Sequence, residues 1–323
     1  MSEEPTSYGR TADESVSDEV MVRAASEPER AARESERVDR DVDFPLTREE
    51  TEALVRAALE EDRAFEDVTT LATVPEDSRA VARMVARSGG VIAGLPLAVM
   101  AFHLLDPRVK ARVLAWDGSH MARGDVALEL EGPSRALLSA ERIALNFVQR
   151  LSGIATLTAR YVDAVHGTRA QILDTRKTTP TFRLLEKYAV RCGGGVNHRL
   201  DLASAVLIKD NHLAAVGGDI AVAVRRSREL APAGVCVEVE CDDAVQVAAA
   251  AEAGADIILL DNMTPEKMRE CVTIVAGRAL TEASGGITLA AARAVAEAGV
   301  DRISVGALTH SAPALDVALD FVE

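Results

Sequence analysis

The chain of 323 residues lacks a long hydrophobic run. Its most apolar stretch, Val91 to Leu105, is interrupted by Gly94, Pro96 and His103, so it is too short and too broken to span a bilayer. Residues 1–40 begin with acidic side chains and have no apolar centre, which is typical neither of a secretory signal nor of an acid-poor transit peptide. These absences predict a soluble, cytoplasmic protein that does not act on a membrane.

Cysteine and lysine are both scarce. The four cysteines show no CxxC spacing, which argues against a zinc site and predicts reduced thiols: Cys192, Cys236, Cys241 and Cys271. Only five of the 36 basic residues are lysines, so a lysine at the end of an apolar run is informative. The formal net charge of -15 argues against a protein that coats nucleic acid, although a local basic pocket remains compatible with it.

Charge and apolar periodicity separate an N-terminal tail from a first domain. Residues 1–43 are acidic and have no apolar period, which predicts a disordered tail. Residues 44–148 predict a small α+β sandwich domain. Its first helix is expected from Thr47 to about Asp62, because Thr47 can cap the helix and Glu50 follows three residues later, as in a capping box.

Two expectations concern the elements that flank the next domain. The segment from Ser134 to His166 is rich in Ala and Leu and predicts helix, with a helix end and a new start near Ser152 and Gly153. A C-terminal helix over 311–323 is expected to pack on the N-terminal domain.

Residues 149–310 alternate between strand-like and helical runs. The strand-like runs are Gln171–Thr175, Ala205–Ile208, Val235–Val239, Asp256–Leu260, Arg278–Glu282 and Arg302–Val305. This alternation is typical of parallel βαβ units, and the lack of a dinucleotide-binding fingerprint favours a β/α barrel over a Rossmann sheet. The predicted fold is therefore α/β, a TIM-like barrel, incomplete or closed, with about six to seven parallel strands. A doubly wound sheet is the alternative.

Charged residues follow four of these strands. Arg176 and Lys177 come after the first strand, Lys209 after the second, Glu240 after the third and Asp261 after the fourth. Because the active site of a β/α barrel lies at the carboxyl ends of its strands, these side chains are predicted to converge on one face.

The segment from Asp174 to His212 has seven basic residues against four acids, in an otherwise acidic chain. Several cations held together require an anionic ligand, and arginine suits carboxylate or phosphate groups. The members that flank apolar runs or glycines are therefore predicted to bind such a ligand: Arg176, Lys177, Arg199 and Lys209. His198, next to Arg199, is a candidate for the same site. The near-helical spacing of four others favours a solvated charged face: Arg183, Glu186, Lys187 and Arg191.

Two glycine-containing turns follow the last two strands. The turns Ser284-Gly285-Gly286 and Gly306-Ala307 each lead into a helix, where exposed backbone amides can bind a phosphate group. Glu240 and Asp261, facing such a phosphate site, could bind ribose hydroxyls or a hydrated Mg2+. Alternatively, they could pair with Lys209 and Arg176.

Eight runs of this sequence resemble the quinolinate phosphoribosyltransferase family, also called carboxylating nicotinate-nucleotide pyrophosphorylase. They are ERIALNFVQRLSGIAT (Glu141–Thr156), ILDTRKTTP (Ile172–Pro180), GGGVNHRLDL (Gly193–Leu202), IKDNH (Ile208–His212), VEVE (Val237–Glu240), LLDN (Leu259–Asn262), SGGI (Ser284–Ile287) and VGALTH (Val305–His310). The resemblance covers roughly Phe44 to the C-terminus. It implies transfer of the phosphoribosyl group of phosphoribosyl pyrophosphate to quinolinate with decarboxylation, giving nicotinate mononucleotide, CO2 and pyrophosphate in de novo NAD biosynthesis.

The resemblance also implies roles for residues. Quinolinate would be bound by Arg142, Arg176, His198, Arg199 and Lys209. The phosphoribosyl group would be bound by Lys177, Glu240, Asp261, Ser284, Gly285, Gly286, Gly306 and Ala307. The catalytic set would be Lys177, Lys209, Glu240 and Asp261, and Mg2+ would be held by Glu240 and Asp261, directly or through water.

In the family, the position of Arg142 reaches the site of the neighbouring subunit, which implies a homodimer with shared active sites.

Three other functions remain open from the sequence: a related barrel with a different acceptor, such as the molybdenum-associated relatives, a non-catalytic phosphoribosyl sensor, and a structural barrel subunit. The full cationic set argues against a different acceptor. The presence of Lys177, Glu240 and Asp261 argues against a non-catalytic sensor, and the converging cations argue against a structural subunit.

Overall fold

The computed structural model describes residues 42–322, so the predicted tail over 1–43 lies outside the described residues except for its last two. The first helix, α1 (Arg48–Glu61), begins after the capping residue Thr47. The backbone amide of Glu50 donates to the Thr47 hydroxyl at 3.2 Å, and the Glu50 carboxylate accepts from the Thr47 amide at 2.8 Å. The predicted capping box is therefore confirmed.

The N-terminal domain is built on an antiparallel sheet with the order β12-β1-β5-β3, in which β12 (Val317–Val322) is the C-terminal strand of the chain. Its strands and helices are α2 (Val68–Thr73), β1 (Arg79–Ala86), β2 (Gly90–Val91), α3 (Leu95–Leu105), β3 (Lys110–Val113), β4 (His120–Met121) and β5 (Val126–Pro133). Strands β2 and β4 form a separate two-stranded pair.

The C-terminal segment is a strand, so the predicted helix over 311–323 is wrong. Strand β12 (Val317–Val322) pairs antiparallel with β1, and Val81 lies opposite Val322. Val317 and Leu319 of β12 are buried and Ala318 between them is partly exposed, which is the alternation of a strand with one face on a core. The expected packing on the N-terminal domain does occur, but through a sheet edge.

The helix that follows β5, α4 (Ser134–Ala164), is continuous over 31 residues. The predicted break near Ser152 and Gly153 is therefore wrong. Both residues are buried: the Ser152 hydroxyl accepts a hydrogen bond from the amide of Ala93 at 2.9 Å, and a side chain on Gly153 would overlap the carbonyl oxygen of Pro313. A small residue here allows the C-terminal segment to lie against α4, which overrides the low helix propensity of glycine.

We expect Gly153→Ala to lower the free energy of unfolding by about 1–3 kcal/mol, because the added methyl group must displace the backbone at Pro313. In an exposed helix the same change would stabilise the protein. Urea unfolding of the two proteins measures the difference. A more stable Gly153→Ala protein would contradict the close contact.

The second domain contains six parallel strands in the order β6-β11-β10-β9-β8-β7. The strands are β6 (Gln171–Leu173), β7 (Val206–Ile208), β8 (Val237–Cys241), β9 (Ile257–Asp261), β10 (Leu280–Ser284) and β11 (Arg302–Ser304). The helices are α5 (Arg183–Cys192), α6 (Asp210–Ala215), α7 (Ile220–Leu230), α8 (Ala244–Glu252), α9 (Pro265–Val275), α10 (Leu289–Glu297) and α11 (Ala307–His310).

The fold class predicted from the sequence is confirmed. Strands β6 and β7 lie at the two ends of the hydrogen-bonded order, which makes the barrel incomplete, and Val196 adds a one-residue parallel bridge beside Leu173 of β6. Among the helices of residues 42–322, none combines the length and apolar character needed to cross a membrane.

Candidate active site

A cavity of about 880 Å³ lies at the carboxyl ends of the barrel strands. All but one of the residues predicted for the site line it: Arg176, Lys177, His198, Arg199, Lys209, Glu240, Asp261, Ser284, Gly285, Gly286, Gly306 and Ala307. The exception is Arg142. The expected convergence of polar strand ends therefore occurs, and the cavity contains both the cations and the glycine turns.

Two arginines of the cavity are partly buried. The Nε atom of Arg176 is buried and has no hydrogen-bond partner within residues 42–322. Arg199 donates to the carbonyl oxygen of Ala205 at 3.0 Å, and its burial, followed by the charge of Arg176, lowers the pKa of its guanidinium. Because the charge of Arg199 is disfavoured by burial and by the neighbouring Arg176, an anion bound beside it would stabilise it.

The acidic side of the cavity lies on β8 and β9. Glu240 forms an ion pair with Lys209, as the pairing alternative predicts. Asp261, opposite Ser284 of β10 in the sheet register, instead accepts a hydrogen bond from the side chain of Asn262 at 2.6 Å. The structure thus places a carboxylate on each of two adjacent strand ends and, within residues 42–322, pairs only Glu240 with a cation.

The glycine turn after β10 is specified by sterics. Gly285 has φ +94, and a side chain on it would overlap the side chain and backbone nitrogen of Asn262. Tyr161 on α4 donates to the carbonyl oxygen of Ile287 at 3.1 Å and so holds the far side of the turn. Within residues 42–322, the amides of Gly285, Gly286 and Gly306 donate to no protein acceptor, which leaves them available for a phosphate group.

A buried ion pair lies beneath the cations, where a solvated face was predicted. Lys187 is 3% exposed and pairs with Asp174, which is 0% exposed. Asn197 donates to Asp174 at 2.5 Å and to the carbonyl oxygen of Lys187 at 2.8 Å. Burial raises the pKa of Asp174 and lowers that of Lys187, so each group depends on the other to remain charged.

Glu186 is also buried, so the prediction of a solvated face is wrong for it too. Its carboxylate accepts from Arg150 of α4 at 2.6 Å and from the Thr179 amide at 3.1 Å. Arg183 and Arg191, by contrast, are partly exposed. Helix α5 therefore carries Glu186 and Lys187 on its buried side, because Arg150 and Asp174 from other elements pair with them there.

His198 lies between two buried glutamates that the sequence analysis did not single out. Its Nε2 atom is 3.2 Å from Glu238 on β8 and 3.3 Å from Glu282 on β10. Burial alone would lower the pKa of His198, but the two carboxylates outweigh it and raise the pKa to about 9. Burial raises the pKa of Glu238.

The other ring nitrogen, Nδ1, accepts a hydrogen bond from the amide of Arg199 at 2.8 Å. A second proton on the ring would replace this bond, so the bond opposes the charged form that the carboxylates favour. The two carboxylates that face Nε2 nevertheless favour the charged ring, since they raise its pKa to about 9.

Arg142 lies outside the barrel cavity. It is exposed on α4 and lines a second cavity of about 380 Å³, together with Arg150, Phe147 and Phe182. One chain therefore does not bring Arg142 to the cations of its own barrel, whereas the arginine is free to extend away from the chain.

The missed glutamates had a weak signal in the sequence. Glu238 and Glu282 interrupt strands that are otherwise apolar or small, in Val-Glu-Val and Thr-Glu-Ala. Two residues along a strand point to the same side of the sheet, so each shares its side with the strand-end residue Glu240 or Ser284. An acid at an inward position of a barrel strand needs a buried partner.

The residues of the cavity fit a hydrated Mg2+. Glu240 and Asp261 offer hard carboxylate oxygens at neighbouring strand ends, and Mg2+ is usually held by one or two carboxylates, its own waters and substrate phosphates. The free amides of the glycine turns provide a place for such phosphates.

Comparison with known proteins assigns the chain to a family. The family model described as "Quinolinate phosphoribosyl transferase, N-terminal domain" matches residues 67–152, and the one for the C-terminal domain matches residues 154–320. The boundary between them falls within α4.

Two relatives carry the same name with small variations. The "Probable nicotinate-nucleotide pyrophosphorylase [carboxylating]" of Bacillus subtilis (strain 168) is 45% identical over 260 residues, which cover 80% of this chain and 89% of that protein. The protein of Mycobacterium leprae (strain TN) is 45% identical over 288 residues, 87% of this chain and 99% of its own. The crystal structure of NadC from Streptococcus pyogenes covers 86% of this chain and 99% of that chain at 42% identity, with a TM-score of 0.81. The chain therefore belongs to the quinolinate phosphoribosyltransferase family.

Proposed function

We propose that this chain transfers the phosphoribosyl group of phosphoribosyl pyrophosphate to quinolinate and releases CO2, which gives nicotinate mononucleotide and pyrophosphate for de novo NAD biosynthesis. The observation that carries the proposal is the content of one cavity, which holds a cluster of cations together with backbone amides that have no protein acceptor within residues 42–322. Such a cavity suits an acceptor with two carboxylates beside a phosphorylated ribose.

The cations are assigned to quinolinate. The partnerless Nε of Arg176 and the guanidinium of Arg199 are placed to bind carboxylate groups, since arginine binds carboxylates through two parallel hydrogen bonds. Lys209 is paired with Glu240 in the empty cavity, and quinolinate would compete for its ammonium group. A monocarboxylate acceptor would leave part of this charge without a partner, which argues against the related barrels with a different acceptor.

The acidic residues and the glycine turns are assigned to phosphoribosyl pyrophosphate. The amides of Gly285, Gly286 and Gly306 would bind the 5′-phosphate, with Ser284 and Ala307 at the same turns. The pyridine nitrogen of quinolinate forms a bond to the anomeric carbon of the ribose, and the bond from that carbon to pyrophosphate breaks. Positive charge develops on the ribose during this step, and the carboxylates of Glu240 and Asp261 would stabilise it.

Mg2+ is proposed as the cofactor, held by Glu240 and Asp261 directly or through water. When bound, it would neutralise negative charge on the pyrophosphate. Lys177 lines the cavity beside Gly306, and its backbone carbonyl accepts a hydrogen bond from the Thr309 hydroxyl at 2.8 Å. Its ammonium group would stabilise the departing pyrophosphate as well.

Decarboxylation follows from the first step. Once the pyridine nitrogen is bonded to ribose, the ring is a cation. The bond between the ring and the neighbouring carboxylate breaks, CO2 leaves, the electron pair stays on the ring carbon and a proton then adds there. The ring charge and the nearby arginines stabilise this carbanion, so the step needs no nucleophilic side chain.

A homodimer with shared sites is part of the proposal. Arg142 is exposed and does not line the barrel cavity of its own chain, which supports a role in the site of a partner subunit. A cytoplasmic location is also proposed, and it is supported by four free cysteines, three of which are buried.

Mass spectrometry tests the proposed reaction. The purified protein is incubated with quinolinate, phosphoribosyl pyrophosphate and Mg2+, and nicotinate replaces quinolinate in a parallel reaction. We expect nicotinate mononucleotide from quinolinate only. Product from nicotinate alone would indicate a different acceptor, and no product from either would favour the phosphoribosyl sensor.

A further inference from the structure

Two buried carboxylates at an anion-binding cavity, of which Glu282 lines the cavity and Glu238 does not, are not explained by the substrates. Glu282 is 0% exposed and Glu238 is 2% exposed, and both are on the barrel strands that lead to the cavity. Their negative charges would repel quinolinate and phosphate alike. Buried charges are retained when they stabilise a partner, so the carboxylates must act on a neighbouring group.

That neighbouring group is His198. Its ring nitrogen Nε2 faces both glutamates, at 3.2 Å and 3.3 Å, and one oxygen of Glu238 and both oxygens of Glu282 have no hydrogen-bond partner within residues 42–322. The carboxylate of Glu282 thus has the imidazole as its one close ionic partner in that part of the chain.

The backbone atoms of His198 also make hydrogen bonds within the protein. Its amide donates to Asp174 at 2.9 Å, its carbonyl oxygen accepts from the ammonium group of Lys187 at 2.9 Å, and its Nδ1 accepts from the amide of Arg199. In the empty cavity, protein groups therefore contact each polar atom of this residue, and a proton gained at Nδ1 would break the bond from Arg199. The charged groups that face it are Asp174, Lys187, Arg199, Glu238 and Glu282, with Arg176 next to Arg199.

We propose that Glu282, with Glu238, is a positioning residue that fixes the orientation and positive charge of the His198 ring for binding of quinolinate. Glu282 lines the cavity, but its negative charge does not suit the anionic substrates, so its role is assigned through His198. Both glutamates act through His198. The inference rests on the proposed function, because it assigns the residues that prepare the quinolinate site.

A divalent metal at the same three residues is the competing explanation. The ligand atoms of His198, Glu238 and Glu282 lie within 4.8 Å of one another. A metal at Nε2 and a second proton on the ring would each place a proton on Nδ1 and break the bond from the Arg199 amide. The two explanations are therefore separated by measuring bound metal.

Glu282→Gln, which keeps the shape and removes the charge, tests the proposal by kinetics against pH. The wild-type enzyme should bind quinolinate with constant KM until the pH approaches about 9, the pKa of His198, and more weakly above it. Loss of one carboxylate lowers the pKa of His198 towards its ordinary value of 6.5, so the rise in KM for quinolinate should begin at a lower pH. If the pKa falls to about 7, KM for quinolinate at pH 8 should rise about tenfold, while KM for phosphoribosyl pyrophosphate and kcat change less than about twofold.

The matched control is Glu297→Gln, an exposed glutamate of α10 that pairs with Arg293, and it should behave as wild type. The titration of His198 is also measured by NMR of histidine-labelled, ligand-free protein, which requires no turnover. A lower pKa in Glu282→Gln is expected there. If Glu282→Gln does not fold, Glu238→Gln provides the same comparison.

Three results would overturn the inference. They are an unchanged titration of His198, an equal change in both KM values, and one equivalent of bound metal that is lost in Glu282→Gln. Failure of the proposed function is a separate outcome, in which the wild-type protein itself forms no product while the NMR titration still shifts.

Discussion

Asp261→Asn is expected to lower kcat/KM for phosphoribosyl pyrophosphate by about 10²–10³-fold, the size of effect seen when one preorganised charge-stabilising group is removed. The substitution keeps the size of the side chain and its hydrogen bond with Asn262 can be retained, but the negative charge at the end of β9 is lost. Steady-state kinetics at saturating quinolinate measure the effect.

Glu270→Gln is a suitable control, since Glu270 lies on the exposed side of α9 and pairs with Lys267. It should retain wild-type kinetics. The Asp261→Asn protein should unfold at the same urea concentration as wild type, because Asp261 has no ion pair to lose within the described residues. A loss of less than about threefold in kcat/KM would contradict the role proposed for Asp261.

Two inactive variants are expected to restore activity when they share a dimer. In a heterodimer of Arg142→Ala and Lys209→Ala chains, the barrel of the first chain keeps Lys209 and receives Arg142 from the second. The other barrel lacks both residues. Co-expression with two different affinity tags isolates this heterodimer, which should have about half of the wild-type activity, because one of its two sites is intact.

The control heterodimer combines Arg199→Ala with Lys209→Ala. Both residues line the cavity of their own chain, so each site of this heterodimer has one defect and no recovery is expected. Equal recovery in the two heterodimers, or none in the first, would contradict the assignment of Arg142 to the partner subunit's site.

The barrel could be predicted because its signals are local. Apolar runs alternate with helical stretches, and strand ends are marked by charged residues such as Lys209 and Asp261. The C-terminal strand and the unbroken α4 could not be predicted in this way. β12 is a strand because it pairs with β1, which is more than 200 residues away, and Gly153 stays helical because the segment around Pro313 packs on it.

The same distinction applies to the site. Residues at strand ends were identified, since a single strand places them, and the structure collects them in one cavity. The inward direction of Glu186 and Lys187 depends on partners from other elements, Arg150 and Asp174, which a helical spacing does not reveal. Glu238 lies within the VEVE run, but its contact with His198 joins strand β8 to the loop after α5, and no local pattern reveals that contact. The role proposed for Arg142 depends on a second subunit, so neither the sequence nor the structure of one chain reveals it.

A crystal structure of the dimer with quinolinate and an unreactive phosphoribosyl pyrophosphate analogue tests the central claim most directly. The account predicts quinolinate carboxylates within hydrogen-bond distance of Arg176 and Arg199 of one chain and of Arg142 of the partner subunit, with the 5′-phosphate on the amides of Gly285 and Gly286. Quinolinate bound away from these arginines, or a 5′-phosphate at another face of the barrel, would contradict it.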